Sequence, residues 1–557
     1  MTGNMQNTVT EFLRELIKKD YEIDIDVVLT RPEAQFGDLA TNVALQLAGR
    51  VGRKPQEVAA HLAKAVEQLN EIGSATVAGP GFINITLTDS ALLDAWALEV
   101  PQAYRDKSVV VEYSDPNPFK ILHAGHLYTS VMGDAIANLV EAAGAETHRV
   151  NFGGDVGMHV AKSMWAILGA LGGENPEKLA DIAADQRSIW LADRYVAGSE
   201  AFEVDVIAKE EITALNMRIY ALHSESDNTS ELARIYWETR QWSYDYFVAF
   251  YDRIGSHFDK FYPESLVADR GLKEVKSQIG RVFDESDGAV VFAGEEFGLH
   301  TRVFINREGL PTYEAKDTGL IFHKHDDYNF DKSIVVTGNE QEQYMAVVLK
   351  AIEQFAPELA SRTTHLTHGL VKLAGGVKMS SRRGNFLRAV DVLNTAADAN
   401  VELNQQRDER VSLGAVKYAF LRQRMGGDII YDPNESVSLH GNSGPYLQYA
   451  HARACSIISK STAKPALDSE PLDINERLLV RKLAEYQDVM ANAVQDLTPH
   501  VICTYLFDLA QTFNRFYEKS RIIGDLREAA RLELVTRYRS TLAHGLDLLS
   551  IAAPETL

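Results

Sequence analysis

The sequence predicts a multidomain α/β chain, with a parallel sheet in the middle, a small α+β unit before it and an all-helical region after it. Three observations predict this. The β-branched run "SVVVEYS" (108–114) is followed by a loop, the helical stretch "SVMGDAIANLVEAAGAE" and the strand-like "THRVNFGGD"; strand, helix and strand in that order form a βαβ unit, hence a parallel pair. Beyond about residue 390 the apolar spacing is helical to the end. At 557 residues the chain exceeds one ordinary core, so two to four domains are expected.

In residues 1–105, "TEFLRELIKK" places Phe12, Leu13, Leu16 and Ile17 on one helical face, and Pro55 suits a first helical turn. After the turn "GPG", "FINITL" alternates as a half-buried strand. This α+β unit ends near Pro101. Residues 106–390 form the sheet-bearing domain, with a mostly helical insertion at about 165–265. The aromatics of "ELARIYWETRQWSYDYFVAFYDRIG" recur there at helical spacing and are read as core. "GAVVFAG" and "KSIVVTG" signal further buried strands. Residues 391–557 form a helical bundle, in which Val501, Ile502, Tyr505, Leu506, Leu509, Phe513 and Phe516 make one broad stripe.

The net charge of −22 argues against a chain coated in nucleic acid or bound to an anionic membrane, though a local basic track is compatible with it. Cys455 and Cys503, the only cysteines, supply neither a disulfide framework nor a thiolate zinc cluster, so no protein-bound structural metal is expected. The first twenty residues carry acids where a signal peptide is apolar, and no window reaches the length of a membrane span, which makes the cytoplasm the expected location.

The chemistry concentrates in "NPFKILHAGHLYTS" (117–130). A glycine flanked by histidines at a strand-to-helix junction lets a nucleotide base approach the backbone, while the helix N-terminus faces phosphate. Alone, the pattern is weak and is more often met by turn histidines at a helix start. A second loop, "GGVKMSSRRGN" (375–385), alternates Lys378, Arg382 and Arg383 with hydroxyls and suits a polyphosphate.

Together these two segments resemble the His-Ile-Gly-His and Lys-Met-Ser-Lys-Ser signatures of class I aminoacyl-tRNA synthetases. "VEYSDPNPFKILHAGHL", "NFGGDVG", "GLPTYEAKDTG", "SGPYLQYAHARA" and "GLDLLSIAAPE" are similar to segments of arginyl-tRNA synthetases, and "FGDLATNVALQLA" and "GPGFINITL" to that family's N-terminal domain. The resemblance implies a Rossmann-type catalytic domain, a tRNA-contacting N-terminal domain and an anticodon-binding bundle. It also implies activation of L-arginine with ATP and Mg2+, then transfer to the terminal ribose of tRNA(Arg), by a monomer.

On this resemblance His123 and His126 stabilise charge on the phosphates, Gly125 lies under the adenine, and Lys378, Met379, Ser380, Ser381 and Arg382 close over the pyrophosphate. Ser381 stands where the family has a second lysine. Lys120 is expected to supply the missing charge, as a solvated lysine would not. A guanidinium is planar and permanently charged, so its pocket needs carboxylates and oriented acceptors. Tyr313 and Asp317, four apart on a helix, are the candidates for that end; Glu112 or Asn117 for the amino or carboxylate end; and Gln341 to complete the pocket. An ammonium could not make the same fork of bonds, so lysine would be rejected.

For tRNA the candidates are Tyr446, Tyr449 and Arg453, with His451 beside them, and Arg515 and Lys519. The last two lie in a stretch, Gln511 to Arg539, with seven lysines and arginines against four acids. The ending "PETL" departs from the family's usual arginine and methionine. Another class I synthetase or a nucleotidylyltransferase would share the histidine motif, but the latter has no need of a helical platform. The altered loop is the one feature that favours a catalytically silent RNA-binding paralogue, and intact His123, Gly125, His126, Lys378 and Lys120 count against it.

Overall fold

The computed structural model describes residues 5–374, 387–405 and 407–557. At its centre lies a five-stranded parallel sheet in the order Thr363–His368, Lys332–Gly338, Ser108–Glu112, Glu146–Gly153, Lys260–Pro263. Val109, Val110 and Val111 are fully buried, as a strand covered on both faces requires. From Ser108–Glu112 the chain moves outward through Glu146–Gly153 to Lys260–Pro263, then returns to the opposite side at Lys332–Gly338. The reversal opens a crevice at the carboxyl ends of the central strands, where such sheets bind ligands.

The insertion helices Arg187–Val204, Val206–Ser224 and Glu231–Ile254 pack with the Met158–Leu171 helix. They share a core of Met164, Leu191, Ile212, Ile235, Tyr236 and Trp242, so the aromatic stripe is core as expected. "GAVVFAG" is a buried strand, as expected. Its strand Ala289–Phe292 belongs to a separate antiparallel sheet with Asp284–Ser286 and Arg302–Ile305, over Phe283 and Phe304. An apolar run reports burial, not partner, and the turn at Gly288, with φ of 79°, folds this strand back on its neighbour.

The N-terminal unit contains a three-stranded antiparallel sheet ordered Leu39–Thr41, Phe82–Leu87, Ile72–Ala78. From Ala389 the chain is helical, apart from Ile429–Tyr431, which pairs with Val371–Leu373. The helix Pro499–Lys519 buries Ile502, Tyr505, Leu506, Leu509, Phe513 and Phe516; Val501 lies half-buried at the edge of the stripe.

The two ends of the chain meet. Arg31 pairs with Asp488 at 2.6 Å, and Arg477 pairs with Asp38 at 2.6 Å and with Asp89. Arg481 donates to Pro32 O at 2.5 Å, Arg537 to Leu93 O at 2.7 Å, and Trp96 Nε1 to Thr541 Oγ1 at 3.0 Å. Among the described residues, no helix is long and apolar enough to cross a membrane.

Candidate active site

The histidine motif lies where the Ser108–Glu112 strand gives way to the helix Ala124–Ala142. His123 Nδ1 accepts the Gly125 N–H at 3.1 Å, and His126 Nδ1 accepts the His123 N–H at 3.2 Å, a reciprocal cap. The rings stand 3.8 Å apart. Since Nδ1 is the acceptor in both, each neutral ring carries its proton on Nε2. Both are held neutral: burial first, then the nearby Lys120 charge, lowers the His123 pKa, and burial, His123 and Lys120 lower that of His126 well below the usual value. The pair therefore offers Nε2–H donors beside a helix N-terminus. A Cβ on Gly125 would stand 2.9 Å from the His123 ring, so the glycine is what permits the cap.

Lys120 Nζ stands 4.6 Å above the Tyr195 ring of the insertion. Its field also reaches His159, whose pKa burial lowers to about 3. Lys378, Met379, Ser380, Ser381, Arg382 and Arg383 lie outside the described residues. Beyond them, Leu387 O accepts the Ala124 N–H at 2.7 Å and Ala389 N–H donates to Leu122 O at 2.9 Å, so the chain leaving that segment is bonded to both sides of His123.

On the arginine side, Tyr313 opens the helix Tyr313–Tyr328 and is 53% exposed, while Asp317, one turn on, is 8% exposed. Asp317 accepts the Tyr344 hydroxyl. Burial pushes its pKa up to about 8; the Tyr344 bond opposes this, while Glu112 and Glu264 add to it. The Tyr313 hydroxyl meets His159 Nδ1 at 3.3 Å, and His159 Nε2 donates to Gly154 O at 2.7 Å. Asn117 Oδ1 accepts the Gly154 N–H at 2.9 Å. These bonds bring Asn117 and Tyr313 around one loop, "GGDVG", with Asp317 one helical turn beyond Tyr313.

One reading changes. Glu112, expected to meet the amino acid directly, is buried and paired with the fully buried Lys324; a carboxylate this deep needs a permanent counter-charge. Gln341 is exposed on the 3₁₀ turn Asn339–Gln341, and the residue of that segment that reaches Asp317 is Tyr344, one helical turn on. The sequence reading also missed the support beneath. Lys316 pairs with Glu264 at 2.5 Å, both nearly inaccessible. The Asp155 carboxylate accepts Arg240 Nε at 2.9 Å and Ser265 N and Oγ at 2.9 and 2.7 Å. A charged residue in "YEAKD" or "GGDVG" carries no local sign that its partner lies 52 to 110 positions away.

On the bundle, Arg453 lies 4.9 Å over the exposed Tyr449 ring and donates to Asn514 Oδ1 at 3.0 Å; Asn514 donates to the Tyr446 hydroxyl at 2.7 Å. Arg515 and Lys519 are exposed, one turn apart, in the last two turns of the Pro499–Lys519 helix. His451 instead faces inward and donates through Nδ1 to Pro554 O at 2.9 Å. The basic excess is also smaller in effect than its count, because Arg527 and Arg531 both pair with the fully buried Glu476 and Arg537 pairs with Glu533.

The model of the class I (R) tRNA synthetase catalytic domain matches residues 88–432, with the arginyl-tRNA synthetase N-terminal domain at 3–87 and the DALR anticodon-binding domain at 447–557. The chain is 30% identical to the arginine–tRNA ligase of Thermobifida fusca, covering 96% of each, and 29% identical to that of Bdellovibrio bacteriovorus, covering 98% of each. The arginyl-tRNA synthetase structure from Thermus thermophilus superposes with a TM-score of 0.79 at 26% identity, covering 99% of this chain and 100% of that one. With the parallel sheet, the capped histidine pair at its crevice and the helical bundle, these matches show that the chain belongs to the arginyl-tRNA synthetases, the class I enzymes that join arginine to its tRNA with ATP.

Proposed function

We propose that Asp317 binds the guanidinium of L-arginine, with Tyr313 flanking it, while Asn117 orients the amino acid for attack. The observation that carries this reading is the Asp317 carboxyl, buried at the floor of the crevice without a cation of its own among the described residues. The arginine carboxylate attacks the α-phosphorus of ATP and pyrophosphate leaves; a ribose hydroxyl of the tRNA terminal adenosine then attacks the acyl carbon and releases AMP. Held in place, the reactants need mainly neutralisation of the charge that grows on phosphate. The Nε2–H groups of His123 and His126 supply donors to it, Gly125 allows the base to approach, and Lys120 takes the place of the second loop cation. Lys378, Met379, Ser380, Ser381 and Arg382 bind the pyrophosphate end. Magnesium enters with ATP as the counter-ion of its phosphates.

Tyr446, Tyr449, Arg453, Arg515 and Lys519 form the tRNA-facing surface of a bundle spanning 391–557; residues 1–105 contact the tRNA body and 106–390 hold the catalytic centre. The enzyme acts as a cytoplasmic monomer. The test is pyrophosphate exchange into ATP with and without tRNA. Exchange that requires arginine, fails with lysine and is lost in Asp317→Asn supports the assignment; undiminished exchange in that variant refutes it.

A further inference from the structure

Three side chains and one loop residue form a run of hydrogen bonds that points in a single direction. Gly154 is its fixed point, because a peptide N–H only donates and a carbonyl only accepts. The Gly154 N–H is given to Asn117 Oδ1 at 2.9 Å. Gly154 O lies 2.7 Å from His159 Nε2, which therefore carries a proton. His159 is the second residue of the helix Met158–Leu171 and 7% exposed. The loop is packed directly on its ring: a Cβ added to Gly154 would stand 3.0 Å from His159 Cε1. Burial, then Lys120, lowers the His159 pKa to about 3, so the ring is neutral and Nδ1 is a bare acceptor. The Tyr313 hydroxyl, 3.3 Å from Nδ1, must be the donor in that contact. Burial and the Glu264 charge push the Tyr313 pKa up to about 12, so the phenol has one proton and His159 takes it. What the exposed Tyr313 has left for a ligand is lone pairs.

That polarity matters because Asp317 does not discriminate alone. Its pKa is pushed up to about 8, so at pH 7 most of the free enzyme presents an uncharged acid, which does not turn away an uncharged ureido group. A ureido group differs from a guanidinium where a carbonyl oxygen replaces an NH2 donor. Against an acceptor-only phenol, that oxygen meets a lone pair and is left unsatisfied, whereas a guanidinium offers an N–H.

We infer that His159 is a positioning residue that determines specificity: by taking the Tyr313 hydroxyl proton it makes that side of the pocket acceptor-only, admitting L-arginine and refusing its ureido isostere. The inference rests on the placement of the guanidinium beside Asp317 and Tyr313. His159 acts through Tyr313 and has no need to touch the substrate.

The test is calorimetric binding of L-arginine and of L-citrulline, its ureido isostere, to the full chain at pH 7. His159→Phe keeps a flat ring and removes the acceptor, which frees the Tyr313 proton to turn to the ligand. It should weaken L-arginine and tighten L-citrulline, narrowing their ratio by about tenfold or more. Equal weakening of both, the result of a merely structural role, overturns the inference. His159→Gln carries an acceptor and a donor in one side chain and should hold the ratio within about threefold of the unmodified enzyme; a ratio that falls as far as in His159→Phe overturns it as well. Histidine 15N spectra of the full chain, with the His159 signal identified by its loss in His159→Gln, should show the proton on Nε2, and a proton on Nδ1 overturns the inference whatever the affinities do. Tyr313→Phe separates the premise. It should weaken L-arginine about threefold or more; an unchanged affinity means that the guanidinium placement fails, whereas a loss there with an unchanged ratio in His159→Phe means that the role of His159 alone fails.

Discussion

Arginine binding should release a proton. In the free enzyme Asp317 is pushed up to about 8 by burial and by the acids Glu112 and Glu264, with Lys324 and the Tyr344 hydroxyl pulling the other way. A guanidinium bound against it favours the anion, so binding must strip the proton wherever the pH is below that value. The apparent dissociation constant then exceeds the intrinsic one by about 100-fold at pH 6, about 11-fold at pH 7 and about twofold at pH 8. Across pH 6 to 8 the affinity should rise about fiftyfold, equivalent to about 2.3 kcal/mol. At pH 7 about 0.9 proton should leave per arginine bound, read as the dependence of calorimetric heat on buffer ionisation enthalpy. Stability follows with its own sign. The folded pKa lies above the unfolded one, so the unliganded fold loses stability as pH rises from about 4 to about 8, and the thermal shift produced by arginine should grow over the same range. Asp317→Asn should remove the proton release, and Tyr344→Phe, which deletes the bond that favours the anion, should extend the dependence to higher pH. An affinity that is flat from pH 6 to 8, with buffer-independent heats, would refute the reasoning.

Lys120→Ala should lower the rate of adenylate formation at least about tenfold while the arginine dissociation constant stays within about twofold, in single-turnover assays; an intact rate would leave Lys120 as a partner of Tyr195 only. Glu264→Gln leaves the Lys316 ammonium buried without its anion and should cost about 3–5 kcal/mol in denaturant unfolding, largely restored by adding Lys316→Met. Arg453→Ala, at the Tyr449–Tyr517 face, should weaken tRNA binding and reduce the slope of log affinity against log salt by about one, with arginine binding unchanged.

The sheet and the bundle were legible because their signals are local. "SVVVEYS" and "KSIVVTG" are β-branched runs that became neighbouring parallel strands, and the 3.6-residue spacing of Ile502 to Phe516 became one buried face. The histidine motif was legible by resemblance, but its geometry was not: that both Nδ1 atoms are spent on the helix cap depends on ring orientation, which sequence does not encode. The surroundings of Glu112 and Gln341 were not legible for a similar reason. Whether a carboxylate in a motif faces substrate or an internal lysine is settled by Lys324, 212 positions away, and Gln341 differs from Tyr344 by one turn of helix. "GAVVFAG" carried a correct signal of burial and none of partnership.

The meeting of the chain's two ends has a consequence for how the molecule responds to cutting. The stretch between Leu93 and Ser108 is the covalent joint between the N-terminal unit and the sheet, yet the unit is also clasped by Arg31, Arg477, Arg481 and Arg537 against the bundle. The molecule is a closed ring with one side made of peptide and the other of ion pairs and hydrogen bonds. A protease that nicks the joint opens the peptide side alone, so the fragments should stay together through gel filtration at low salt and part when high salt screens the pairs. Two separately produced pieces split at that joint should find each other unaided, as a divided enzyme.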